Sequence, residues 1–356
     1  GTFTVHAGTV NATQLTLGQI GAGASTANAS GLLDLTGGTV SADTLTMGDL
    51  TGSGAVSAVI NLNGGTLASS AIGTNAASSI HNLNWNSGTL RNQADGQNMS
   101  VSGINIALSD GAAHYFEVDG TAANAQLDVV LADASGATTG GGITKTGSGT
   151  LTYGVAASYS GASVIQQGTL KAGVVDAINS SSGLQVASGG TFDLNNLNQH
   201  INGLSGDGLI TLGSATLSAN IATDSSWAGQ IVGSGTFEKT GSGTLTLSGQ
   251  INNGGVDVVA GTLRIGDGAT HGSVSADIDS DGTVVFDRSD DVTWANRLSG
   301  SGDLVKTGAG NLSVSLAQFL SGNTLVNAGT FTMLDQQSAG THQLNVASGA
   351  TVDAAF

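Results

Sequence analysis

The chain has 356 residues, 57 of them glycine, with no proline, no cysteine, 4% aromatic residues and a formal net charge of −17. The lack of cysteine excludes a disulfide scaffold and thiolate metal sites. Eight basic residues against 25 acidic ones make nucleic acid and anionic lipid surfaces poor partners, because both are held through clustered Lys and Arg.

Glycine stands at over twice its usual share, yet 39% of the residues are hydrophobic and recur in short alternating runs such as Leu15-Thr16-Leu17, Leu45-Thr46-Met47 and Leu245-Thr246-Leu247. Such alternation predicts half-buried strands. Helix signals are nearly absent, since no amphipathic period of 3.6 runs through any long window and Gly interrupts almost every stretch of ten residues. No segment approaches 18 consecutive apolar residues.

From the first residue, Gly-Thr followed by Val, Leu or Phe recurs thirteen times, at Gly1, Gly8, Gly38, Gly65, Gly88, Gly149, Gly168, Gly190, Gly235, Gly243, Gly261, Gly282 and Gly329. Each copy reads as a turn feeding a strand: Gly takes the tight bend, Thr opens the extended segment, and the apolar residue points inward. Over residues 1–140 the copies are loosely spaced. The clearest echoes are Asp34–Val40, Asn61–Leu67 and Asn84–Leu90.

Over residues 141–356 a longer unit appears three times, beginning Lys145-Thr146-Gly147, Lys239-Thr240-Gly241 and Lys306-Thr307-Gly308. Each precedes a later Gly-Thr turn, at Gly168, Gly261 and Gly329, by about one coil of a solenoid. Trp227, Gly235, Lys239 and Gly241 recur 67 residues on as Trp294, Gly302, Lys306 and Gly308, a displacement read as three coils of about 22 residues. Lys145, Lys171, Lys239, Arg264 and Lys306 fall at matching positions and are expected at the rim, their stems covering apolar surface or their charges capping carbonyls. The predicted fold is all-β, a right-handed parallel β-helix forming a single elongated domain of about 15 coils, or roughly 70 Å at ~4.8 Å per coil.

No residue is assigned to catalysis, a cofactor or a metal. His6, His81, His114, His200, His271 and His342 are scattered without a Gly-x-Ser-x-Gly elbow and read as loop or rim residues. Asp277-Ile278-Asp279-Ser280-Asp281-Gly282 matches the opening of a calcium loop. The twelfth position is Arg288 where a bidentate Glu belongs, however, and the flanks predict strands, so a solvated acidic turn is the favoured reading. Asp287, Asp290 and Asp291 could add to any weak cation binding there. Trp227 and Trp294 could stack on sugars, but their equivalent repeat positions favour packing. Thr44-Leu45-Thr46, Thr150-Leu151-Thr152 and Thr244-Leu245-Thr246 pair two hydroxyls on a strand face without forming an ice-binding array.

The unit from Gly233 to Gly249, completed by Gly261-Thr262-Leu263, resembles the passenger-associated transport repeat of autotransporters. The likeness covers Gly140 to Gly173, Gly233 to Gly266 and Gly300 to Met333; the third copy departs at Ala309, Asn311 and Phe331. The chain is similar to the AIDA and antigen 43 adhesin group. That resemblance implies a secreted passenger displayed on the bacterial surface by a carboxy-terminal outer-membrane β-barrel outside this chain. It further implies adhesion, by self-association with an identical passenger on a neighbouring cell or by binding host cell-surface or matrix molecules. Residues 300–356 match the place of an autochaperone or capping region. A β-helix enzyme acting on polysaccharide and a purely structural stalk are the alternatives. The absence of cysteine suits a chain that stays unfolded during export, and the sequence reads as a fragment beginning inside a repeat.

Overall fold

The structure, a computed structural model, describes residues 1–20, 28–50, 54–76, 80–340 and 342–356. These described residues form 38 strands and no helix. They group into two units, Gly1–Phe192 and Asp193–Phe356.

In the first unit strands pair in parallel from one repeat to the next. The strand Thr2–Val5 lies beside Ala29–Leu35, which in turn lies beside Val56–Gly73 and then Ile80–Arg91. Because successive side chains alternate across a strand, parallel registry puts like residues above like. Leu33, Ile60, Leu83, Ile106 and Leu131 form one interior column, each at most 2% exposed. A second column runs Val40, Leu67, Leu90, Phe116, Lys145, Ile165. The apolar residue of eleven of the thirteen Gly-Thr motifs is buried, as the alternation predicts, whereas Phe3 is exposed and Val10 half-buried in the first two.

The threonines of four early motifs stack as well, Thr9 on Thr39, Thr66 and Thr89. So do their glycines. Gly65 has φ +69°, and a Cβ there would lie 2.6 Å from the Gly38 carbonyl oxygen, so the turns can nest only without side chains.

In the second unit the repeat is shorter. Gln199–Asn202, Thr216–Asn220, Thr236–Thr240, Gly255–Val258 and Ile278–Ser280 are parallel neighbours in one sheet. Another ladder stacks Trp227, Leu247, Ile265, Phe286, Lys306, Val326 and Val346. A further four-stranded sheet carries Val292–Trp294, Asn311–Val314, Thr330–Met333 and Thr351–Ala354.

These registers correct the reading of the 67-residue displacement as three coils. Three in-register steps lead from Glu238 through Asp257 and Asp279 to Ser299, six residues short of where that displacement would arrive. Lys239 therefore stacks between Ala219 and Val258, whereas Lys306 stacks between Phe286 and Val326. Trp227 and Trp294 likewise occupy different sheets. Similar sequence is presented on a different face because the structural period, 19 to 22 residues at these steps, does not divide the sequence displacement.

Candidate functional site

The acidic run is the densest collection of potential ligands, and the structure keeps its carboxylates apart. Asp277 accepts the Arg297 amide at 2.8 Å, Asp281 accepts the Ser301 hydroxyl at 2.7 Å, and Asp291 accepts the Asn311 amide at 2.8 Å. Asp290 is held by both Nε and Nη2 of Arg288, at 2.8 and 2.6 Å, and Asp287 by Arg264. Among the described residues no three His, Cys, Asp or Glu side chains converge as a metal site would need.

The separate bonds share a pattern that sequence reading missed. Asp224, Asp277, Asp281, Asp291 and Asp303 each accept a backbone amide 20 residues further on. In such a ladder the turn amides point along the stack, and a carboxylate in the preceding repeat satisfies them with a charge-assisted bond. The Ser301 hydroxyl and amide hold the Asp281 carboxyl below its usual range, and Arg288 does the same for Asp290. The available signal was the recurrence of Asp one repeat before a Thr, Ser or Asn turn. Outward on the neighbouring sheet, Glu238, Asp257 and Asp279 stack directly. Burial, and then the charges of Asp279 and Glu238, push the Asp257 carboxyl upward.

The histidines divide in two. His6, His200, His271 and His342 are exposed, but His81 and His114 are buried, correcting their reading as loop or rim residues. His114 Nδ1 lies 2.9 Å from the Gly142 carbonyl and so carries the proton, with the ring edge-on to Trp85 at 5.7 Å. Its Nε2 is buried without a partner. His6 and His81 meet threonine hydroxyls, at Thr36 and Thr74, and His271 meets Asp267. None of these four rings bridges a hydroxyl to a carboxylate, so the relay that activates a nucleophile is not assembled on them.

Burial lowers the His114 and His81 pKa below the ordinary 6.5. A histidine depressed in the folded state contributes full stability above its unfolded pKa and loses that contribution as pH falls through the folded value. The urea midpoint of the first unit should therefore drop between pH 7.5 and 5.5, and His114→Phe should flatten that slope. Glu117, raised by burial, acts in the opposite sense at lower pH. An identical slope in the variant would show that His114 titrates as in the unfolded chain.

Lys145, Lys239 and Lys306 depart most from expectation. They are 1, 0 and 2% exposed, inside the stack and not at its rim, although the capping of carbonyls is correct. Lys171 is partly exposed, and the half-buried Arg264 pairs with the buried Asp287. Trp227 and Trp294 are 0 and 4% exposed, leaving no ring face for a sugar. Phe286 meets Trp294 edge-on at 5.2 Å.

The passenger-associated-transport-repeat family matches residues 143–172, 237–265 and 304–333, the three stretches that contain the buried lysines. The chain is also similar to the Adhesin BmaC autotransporter of Brucella suis biovar 1 (strain 1330), 32% identical over 230 residues. The three repeats and this similarity support an autotransporter passenger domain. The chain is accordingly an exported protein of the bacterial cell surface. The matched region covers 58% of this passenger and 6% of the relative.

In the first unit the passenger presents rows of polar side chains bonded from repeat to repeat. Asn86 donates to Asn63 at 2.7 Å, and Asn63 to Asp34 at 2.6 Å. Asn84 donates to Asn61 at 2.8 Å, and Asn105 to Asn82 at 3.1 Å. Asp49 accepts from both Gln19 and Asn75, at 2.8 and 2.6 Å. These amide and carboxylate ladders are partly exposed.

Proposed function

We propose that this passenger is a non-enzymatic adhesin, wound as a right-handed parallel β-helix and presenting its outer ladders as a contact surface. The repetition of the amide and carboxylate rows at strand spacing supports this reading, because equal weak contacts multiply when two extended faces meet. The in-register parallel pairing at intervals of one repeat supports the β-helix. The partner is an identical passenger on a neighbouring cell or a polar molecule of a host surface or matrix, and the passenger reaches the surface through its own outer-membrane barrel. Residues 300–356 assist folding of the remainder.

Cells displaying the passenger should clump with each other, or bind matrix-coated surfaces, more than cells without it. Introducing negative charge through Asn63→Asp and Asn86→Asp should weaken that binding several-fold, with circular dichroism reporting whether the strands survive. Clumping with bare surfaces inert points to self-association; the converse points to a host ligand. Cleavage of a polysaccharide panel by the purified chain, with no adhesion, would overturn the reading. Deleting residues 300–356 should slow refolding, and unchanged refolding would remove the assisting role.

A further inference from the structure

Three buried ammonium groups have no partner carboxylate within the hydrogen-bond network, and each does the same thing. Lys145 Nζ donates to the carbonyls of Thr146 and Gly147, at 2.7 and 2.8 Å, and to that of Gln167 at 3.1 Å. Lys239 Nζ donates to Thr240, Gly241 and Ala260, at 3.3, 2.9 and 2.7 Å. Lys306 Nζ donates to Gly308 and, at 3.2 Å, to Ala328. In every case the near carbonyls belong to the turn just after the lysine, and the far carbonyl belongs to the residue immediately before a Gly-Thr turn, at Gly168, Gly261 or Gly329.

We propose that each transport repeat carries an internal register latch, in which a buried lysine ammonium ties its own Lys-Thr-Gly turn to the Gly-Thr turn of the next repeat and so selects which of many similar turns stacks upon it. An ammonium offers three protons and no acceptor, so it can join two turns only through oxygens that converge from both. The turn glycines complete the fit. Gly168, Gly261 and Gly329 have φ +70°, +69° and +70°, and a Cβ on Gly261 would stand 2.7 Å from Lys239 Nζ. The amides of Thr169, Thr262 and Thr330 then close onto Gly149, Gly243 and Gly310.

The chain needs such a selector. Thirteen Gly-Thr-apolar motifs are close to interchangeable as turn and strand, and slippage between repeated strands costs little when the side-chain pattern is the same in every register. A buried charge is a poor source of net stability but a strong penalty on any arrangement that leaves it without acceptors. Slipping the pairing would carry the lysine away from the carbonyls before Gly168, Gly261 or Gly329. Burial draws the Lys145 and Lys239 pKa down to about 8, so both remain protonated at neutral pH, as the latch requires.

Amide hydrogen exchange on the whole chain tests this. In Lys145→Met, Thr169 should exchange at least ten-fold faster, while Thr283, whose amide closes onto Gly261 without a lysine, keeps its rate. Lys306→Met should do the same at Thr330, and Lys171→Met should change neither. An unchanged Thr169, or a Thr169 and Thr283 that accelerate together, would overturn the latch. Should the methionine variants fail to fold, the native chain still decides. Acylation of the Lys145 amine must then proceed through the same opening that exchanges Thr169, and a Lys145 that reacts while Thr169 stays protected would end the proposal.

Discussion

Trp227→Ala should lower the unfolding free energy of the second unit by about 3–5 kcal/mol, the usual cost of emptying a large aromatic site in a close-packed interior. The indole is 0% exposed and stacks between Gly206 and Leu247 in adjacent repeats. Its Nε1 has no hydrogen-bond partner, so the loss is one of packing alone, and Trp227→Phe should recover much of it. Urea unfolding followed by circular dichroism measures the difference. A loss below about 1 kcal/mol would mean that the site collapses freely around the missing ring, which a stack fixed by backbone ladders on either side should not allow.

The second large effect is at a glycine. Gly261→Ala should cost about 3 kcal/mol or more, combining the strain of a left-handed residue with displacement of neighbouring backbone. Its φ is +69°, and an added Cβ would meet the Gly241 and Gly243 carbonyl oxygens at 2.5 and 2.6 Å. Gly255 provides the control: its nearest neighbour to an added Cβ is Thr236 Oγ1, at 4.0 Å. Gly255→Ala should therefore stay within about 0.5 kcal/mol of the parent. Thermal melts of the two variants side by side would refute close nesting of the turns if their midpoints coincide.

Much of the architecture is legible in the residues, because its two rules are local. Alternation sets which side chain faces inward, and Gly-Thr marks where a strand begins; both act within a few residues. The same alternation, followed strictly, places the lysines inside as well. Phe237 and Lys239 are two apart on one strand, as are Ile143 and Lys145, and Leu304 and Lys306, and all six are buried. The expectation of rim lysines gave residue type precedence over position. The carbonyls of the lysine's own turn, joined by one arriving from a turn about one repeat away, make the interior position tolerable, and that last arrival is not written near the lysine. His114 is hidden for the same reason, since its partners Gly142 and Trp85 come from neighbouring repeats. So are the aspartates, which cap amides 20 residues on and look like a cation loop when read along the chain.

The sequence by itself determined the all-β composition of the chain, its repetition and its resemblance to exported passengers, since these depend on short-range pattern. The tertiary structure decided the register, and with it the face on which each repeat lies, the burial of three charges and the separation of six clustered carboxylates. Register is a property of contacts between repeats 18 to 30 residues apart. Small differences in repeat length accumulate along a stack, so residues equivalent in sequence need not be equivalent in space.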